Sequence, residues 1–161
     1  STVAKVGDDA FSNCRKLVEV VLNEGLQAIG YRAFYRCTSL ESIVLPSTVV
    51  DIGDAAFRDC KLVEVVLNEG LETIGYFAFD RCISLVSIKL PSTVAEVGDH
   101  AFSECIKLVE VVLNEGLKTI KPGTFSGCTK LREMVLNEGL QTIGEGAFIL
   151  IAHPWKASSF L

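Results

Sequence analysis

The sequence predicts an α/β repeat solenoid: a coil of about seven 23-residue units with a parallel sheet on one face and short helical turns on the other. Three observations carry that expectation. Phe11, Phe34, Phe57, Phe79, Phe102, Phe125 and Phe148 recur at intervals of 23, 23, 22, 23, 23 and 23 residues, a period that marks stacked repeats. Cys14, Cys37, Cys60, Cys82, Cys105 and Cys128 follow the first six of these phenylalanines by three residues. Within each unit the apolar spacing changes from alternation to a wider step, so one chain side is apolar throughout.

The elements follow in order along a unit. Leu17-x-x-Val20-x-Leu22 ends in the alternation of a strand with one buried face. Asn23-Glu24-Gly25 supplies a turn, with Gly25 suited to positive φ. Leu26-x-x-Ile29-Gly30 reads as a second short extended piece, and Ala33-Phe34-x-x-Cys37 as one helical turn. The single 22-residue interval is a deletion, since Lys61-Leu62 stands where other units carry two residues before the leucine. No unit of this length buries its apolar face alone. Stacked units bury it against each other, with strands about 4.8 Å apart.

The run Leu17-x-x-Val20-x-Leu22-x-x-Gly25-Leu26 resembles the leucine-rich-repeat consensus, with glycine where the commonest forms carry asparagine. The continuation Ile29-Gly30-x-x-Ala33-Phe34-x-x-Cys37-x-x-Leu40 is similar to the BspA-like, or Treponema pallidum type, subfamily. The resemblance covers about residues 1–148 and implies a right-handed leucine-rich-repeat coil. It also implies cell-surface proteins, some of them adhesive or bound to host matrix proteins.

A longer period overlies the short one. The decapeptide LVEVVLNEGL at Leu17–Leu26 recurs unchanged at Leu62–Leu71 and Leu108–Leu117. Between the copies stand Leu40–Val49 (LESIVLPSTV) and Leu85–Val94 (LVSIKLPSTV). The true unit is therefore a pair of coils. Ser1-Thr2-Val3 matches the end of the second variant, and the unit from Leu131 is again of the first type. Neither end reads as a polar cap, so a piece of a longer array, and end-to-end self-association, are expected. Residues 149–161 form a divergent tail beyond the array of residues 1–148. The tail either folds over the last coil as an apolar lid or is unrelated sequence.

Composition excludes several classes. Fifteen Lys and Arg are scattered among twenty Asp and Glu, for a net charge of −5, which argues against a nucleic-acid partner. The longest apolar run, Ala147–Ala152, is far short of the roughly 20 residues of a spanning helix, so no membrane span is expected. No signal peptide is visible at Ser1, and the compartment stays open.

Catalysis has no visible foothold, and no cofactor is expected. The cysteines lack CxxC pairing and a nearby histidine, so zinc-site spacing is missing and the thiols read as core. His100 and His153 read as surface residues without a partner. Lys121-Pro122-Gly123-Thr124 has too few glycines for a phosphate loop, and no nucleophile elbow or metalloprotease helix appears.

Outward strand positions are the better candidates. With Leu17, Val20 and Leu22 inward, stacking makes three outward ladders. The first runs Glu19, Ser42, Glu64, Ser87, Glu110 and Glu133, where interposed serines separate the glutamates until the last two meet. The second runs Val21, Val44, Val66, Lys89, Val112 and Val135; it either simply suits a strand or forms an apolar recognition stripe. The third runs Asn23, Pro46, Asn68, Pro91, Asn114 and Asn137, its asparagines counted among the contact candidates. A second exposed cluster flanks the Ala-Phe pairs: Tyr31, Arg32, Tyr35 and Arg36, then Tyr76, Phe77, Asp80 and Arg81. These are interface anchor types, though long side chains also pack along a coil edge.

The expectation is a non-catalytic binding or display scaffold for a protein or glycan ligand. The alternative is a structural spacer whose activity lies in flanking sequence. Near-identical copies favour the spacer, because a unique partner needs divergence between units.

Overall fold

The computed structural model describes residues 3–151, 154 and 156–159. The repeat match at Ser1 and Thr2 and the surface position expected of His153 lie outside the described residues. Thirteen short strands follow in chain order: β1 (Lys5–Val6), β2 (Ala28–Ile29), β3 (Ser42–Val44), β4 (Asp51–Ile52), β5 (Glu64–Val66), β6 (Thr73–Ile74), β7 (Ser87–Lys89), β8 (Glu96–Val97), β9 (Glu110–Val112), β10 (Thr119–Ile120), β11 (Glu133–Leu136), β12 (Thr142–Ile143) and β13 (Lys156–Ser159). All pairings are parallel between successive coils. The two-residue strands form one side, β1-β2-β4-β6-β8 and then β10-β12, and the longer ones the other, β3-β5 and then β7-β9-β11-β13.

Lys156–Ser159 adds a parallel strand to β11, with Glu133 opposite Lys156, in the same 23-residue step as the coils before it. The Lys156 N–H reaches the Arg132 carbonyl at 2.8 Å, as the Arg132 N–H reaches Val109 at 3.0 Å.

The core is a stack of rings. Phe34, Phe57, Phe79, Phe102 and Phe125 are fully buried. Consecutive ring centroids from Phe11 to Phe148 lie 5.2–5.7 Å apart with interplanar angles of 3–8°. The inward strand residues Ile43, Ile88, Val111 and Met134 close the opposite wall. Each stacked aromatic removes a large apolar area from water, and the coil is held as one continuous core.

The expected helical turns are absent among the described residues; consecutive β-turns replace them. The Ala33, Tyr35 and Cys37 N–H groups bond back three residues to Gly30, Arg32 and Phe34, at 3.2, 3.0 and 3.1 Å. The intervening N–H groups of Arg32, Phe34 and Arg36 instead bond Asp54, Ala56 and Arg58 of the next coil, at 2.9, 2.8 and 2.9 Å. Positive φ at Arg32 (50°) and Arg36 (57°) turns every second amide outward along the stack, as the third residue of a type II turn requires. The reason is spacing. A helix is about 10 Å across, twice the separation of the coils, whereas a ribbon of turns stacks at the spacing of the strands.

A glycine column marks where coils approach most closely. A Cβ at Gly53 would stand 2.9 Å from the Gly30 carbonyl carbon, and one at Gly98 2.5 Å from the Tyr76 nitrogen, so no side chain fits there. Lys121 is the exception in this column, and the ladder is interrupted at its coil, between β8 and β10. The other side is interrupted between β5 and β7, after the coil that is one residue short.

Candidate interaction surface

The outward ladders differ in what the fold does with them. Glu19, Ser42, Glu64, Ser87, Glu110 and Glu133 are all exposed. Val21, Val44 and Val66 are exposed by 74%, 60% and 42%, Lys89 is exposed, and Val112 and Val135 are half-buried. From Ser42 and Val44 onward these two ladders lie side by side on the longer strands, an apolar stripe beside an acidic one, and Glu19 and Val21 precede the first of those strands.

The asparagine ladder corrects the sequence expectation. Only Asn23 is exposed; Asn68 is half-buried, and Asn114 and Asn137 are buried. Their amides point back into the preceding coil. The Asn114 Nδ2 donates to the Pro91 carbonyl and, at 2.8 Å, to that of Val94, while its Oδ1 accepts the Leu117 N–H at 2.8 Å. Asn68 makes the same contacts with Pro46 and Val49, and Asn137 with Asn114 and Leu117. The strand has ended by this position, so the alternation of faces no longer applies. Buried carbonyls left by the turn need a donor, and asparagine supplies two.

The same turns explain the paired coils. Glu24 accepts the Ser47 N–H at 3.1 Å and its hydroxyl at 2.8 Å, which holds the Glu24 carboxyl below its ordinary value. Glu69 repeats this with Ser92 at 3.0 and 2.8 Å. The Thr48 and Thr93 hydroxyls return to the Leu26 and Leu71 carbonyls, both at 2.7 Å. Coils of both kinds therefore donate backward and accept forward: Pro-Ser-Thr gives its hydroxyls and the serine N–H to the glutamate and leucine carbonyl behind it, and Asn-Glu-Gly gives its asparagine amide to the proline and valine carbonyls behind it.

The second cluster divides. Arg32 stacks on Tyr35 at 4.4 Å and Arg58 on Phe77 at 5.2 Å. Asp80, expected outside, is buried beside Arg58 at 2.9 Å; burial pushes its carboxyl above the ordinary value against the pull of Arg58 and Ser103. His100 is half-buried and stacks on Phe77 at 5.0 Å. Tyr31 and Tyr76 remain 48% and 47% exposed.

Five thiols are core and one is not. Cys37, Cys60, Cys82, Cys105 and Cys128 are buried, whereas Cys14 is exposed, because no coil precedes it among the described residues. Each buried thiol donates to a phenylalanine carbonyl of the preceding coil; Cys105 reaches Phe79 at 3.3 Å. Burial raises the Cys82 and Cys105 thiols well up and pushes Cys128 to about 12. Among the described residues no group of three or more His, Cys, Asp or Glu is placed to hold a metal ion, and no helix is long and apolar enough to cross a membrane.

Sequence reasoning passed over a groove on the other side of the coil. About 420 Å³ in volume, it runs over the glycine column between Tyr31 and Tyr76. The recurring Ile/Val-Gly pair was its signal.

The model of the BspA type leucine-rich repeat region matches residues 1–64 and 50–151, in six copies. The chain belongs to that family. A leucine-rich repeat protein of T. pallidum has the same fold, with a TM-score of 0.88 and 35% identity over 94% of this chain and 72% of that one. One from Bacteroides ovatus gives 0.72 and 30%, over 98% of this chain and 47% of that one. A pneumococcal vaccine antigen, at 20% identity and a TM-score of 0.58 over 88% of this chain and 56% of that one, shares the fold alone. The chain thus spans about half the length of the Bacteroides protein. No curated protein matches it in sequence.

Proposed function

We propose that this member of the BspA-type family is a non-catalytic interaction scaffold that presents its longer-strand face to a protein partner at the cell surface or outside the cell. The observation that carries the reading is the exposed stripe of Val21, Val44 and Val66 beside the Glu19, Ser42, Glu64 ladder. An apolar stripe left in water on an otherwise well-packed wall is a recognition feature, and flanking carboxylates favour partners with basic edges. The compartment rests on the family resemblance.

A spacer is the second reading, favoured by the near-identity of units and by the use of Asn68, Asn114 and Asn137 inside the stack. One experiment separates the two. The whole chain and a Val21→Asp, Val44→Asp, Val66→Asp variant are screened against extracellular protein arrays, with circular dichroism as the fold control. Saturable binding lost in the variant supports the scaffold. Absence of binding by the folded parent sinks it and leaves the spacer.

A further inference from the structure

The groove on the side of the two-residue strands is built differently from the proposed protein-binding face. Its floor is backbone: Gly30, Gly53, Gly75 and Gly98 lie where an added Cβ would meet the neighbouring coil. Its backbone amides are committed, for the Gly53, Gly75 and Gly98 N–H groups bond the previous coil at 2.8, 2.7 and 2.8 Å. A peptide strand therefore finds no free ladder on this floor. The groove offers two half-exposed phenol rings and a set of oxygen acceptors.

The backbone that carries each ring is pinned to the preceding coil. Asp8 accepts the Tyr31 N–H at 3.0 Å, and Asp54 accepts that of Tyr76 at 2.8 Å. A cation lies over each ring: Arg32 at 5.7 Å from the Tyr31 centroid, and Lys121, itself in the lining and paired with Glu96, at 5.7 Å from that of Tyr76. Alternation of Asp8, Tyr31, Asp54 and Tyr76 on successive coils puts the rings two coils apart, about 10 Å at roughly 5 Å per coil. Asp51, Thr73 and Glu96 line the space around them. Four carboxylates against two lysines make the lining acidic.

We infer that this groove binds an extended, uncharged β-1,4-linked glycan, with Tyr31 and Tyr76 as platforms for alternate sugar rings. Two coils match one disaccharide of such a chain, so a repeating protein meets a repeating polymer in register. The flat C–H face of a β-linked hexose packs on a phenol ring whose other end stays wet. Hydroxyls between the rings meet carboxylate and threonine oxygens, and the acidic lining rejects anionic polymers. This site lies apart from the valine stripe, and near-identical units suit a ligand that is itself a repeat.

The test is calorimetric titration of the whole chain with cellohexaose, beside maltohexaose, whose α-links curve the chain. Cellohexaose is expected to bind and maltohexaose at least ten-fold more weakly. Tyr31→Ala with Tyr76→Ala should weaken cellohexaose binding at least ten-fold, while Tyr31→Phe with Tyr76→Phe stays within about three-fold, because the ring face is retained. The Val21, Val44, Val66 aspartate variant should bind cellohexaose unchanged, so this reading and the protein-binding one fail separately. No heat with cellohexaose, equal affinity for both sugars, or full affinity in the folded double alanine variant would overturn the proposal.

Discussion

The same ten residues, LVEVVLNEGL, occur three times in this chain and adopt three different states. At Leu17–Leu26 no strand forms, Val20 is half-buried, Asn23 is exposed and Gly25 has a φ of 97°. At Leu62–Leu71 the strand β5 forms and Asn68 turns half inward. At Leu108–Leu117 Val111 and Leu113 are buried, and Asn114 is buried on two carbonyls. Local sequence is constant, so the neighbouring coils make the difference: β5 pairs on one side only and β9 on both. Asn114 needs the carbonyls of Pro91 and Val94, and the first copy has no such coil among the described residues. Gly70 shows the same dependence: a Cβ there would stand 2.7 Å from the Ser47 oxygen of the preceding coil, so glycine serves close approach there and turn geometry at Gly25.

Thiol chemistry should expose this gradient most strongly. Cys14 is expected to alkylate at once at pH 8, and the five buried thiols roughly a thousand-fold more slowly, at a rate set by opening of the stack. Mass spectrometry should count one label in the native protein and six in denaturant, matching the six cysteines. More than one rapid native label would break the comparison. A pH effect accompanies it. The unfolded thiol ionises near its ordinary value of 9.0, and folded Cys128 only near 12. Above about pH 9 the folded state holds protons that the unfolded chain has lost, so stability falls as pH rises toward 12.

In free energy the largest contrast is in the ring stack. Phe79→Ala removes a fully buried ring with a neighbour on each side and should cost about 3–5 kcal/mol. Phe11→Ala removes a ring 39% exposed and stacked on one side, for about 1 kcal/mol. Urea denaturation of the two variants checks the ratio. Asparagine comes next. Asn114→Ala takes the amide donor from the Val94 carbonyl, leaves that of Pro91 only the Val94 N–H at 3.2 Å and should cost about 1–3 kcal/mol, whereas Asn23→Ala should change stability by less than about 0.5 kcal/mol. Equal losses at both positions would mean that the amide contacts contribute little.

The repeating wall was legible in the sequence because it depends on apolar spacing alone: Phe34, Cys37, Ile43 and Leu45 are buried where the period puts them. The turns were not. An Ala-Phe-x-x-Cys run fits one helical turn and a pair of β-turns equally well, and only the spacing between coils decides. Nothing in Arg36 or Glu104 announces a positive φ, since both adopt it to free an amide for the next coil. The Glu and Val ladders could be placed from the strand period, but that period no longer holds at Asn114, two residues past the end of β9. The groove beside Tyr31 and Tyr76 required asking what the glycine column leaves empty.

The smallest expected effect lies on the exposed acidic ladder. Serines separate Glu19, Glu64 and Glu110, but Glu110 is directly opposite Glu133 across β9 and β11. Glu133 has Lys156 on its other side, so its charge is partly balanced, and that of Glu110, flanked by Ser87, is not. Like charges opposite each other on a sheet repel. Glu110→Ser should therefore raise the thermal midpoint slightly at low salt, and Glu133→Ser by less, because it also removes the charge opposite Lys156 in the register. At 1 M salt the Debye length falls to about 3 Å, below the strand spacing, and both shifts should vanish. A shift of the same size at both salt concentrations would mean that the serines are there for packing, and that the alternation of the ladder follows from the pairing of Asn-Glu-Gly with Pro-Ser-Thr coils alone.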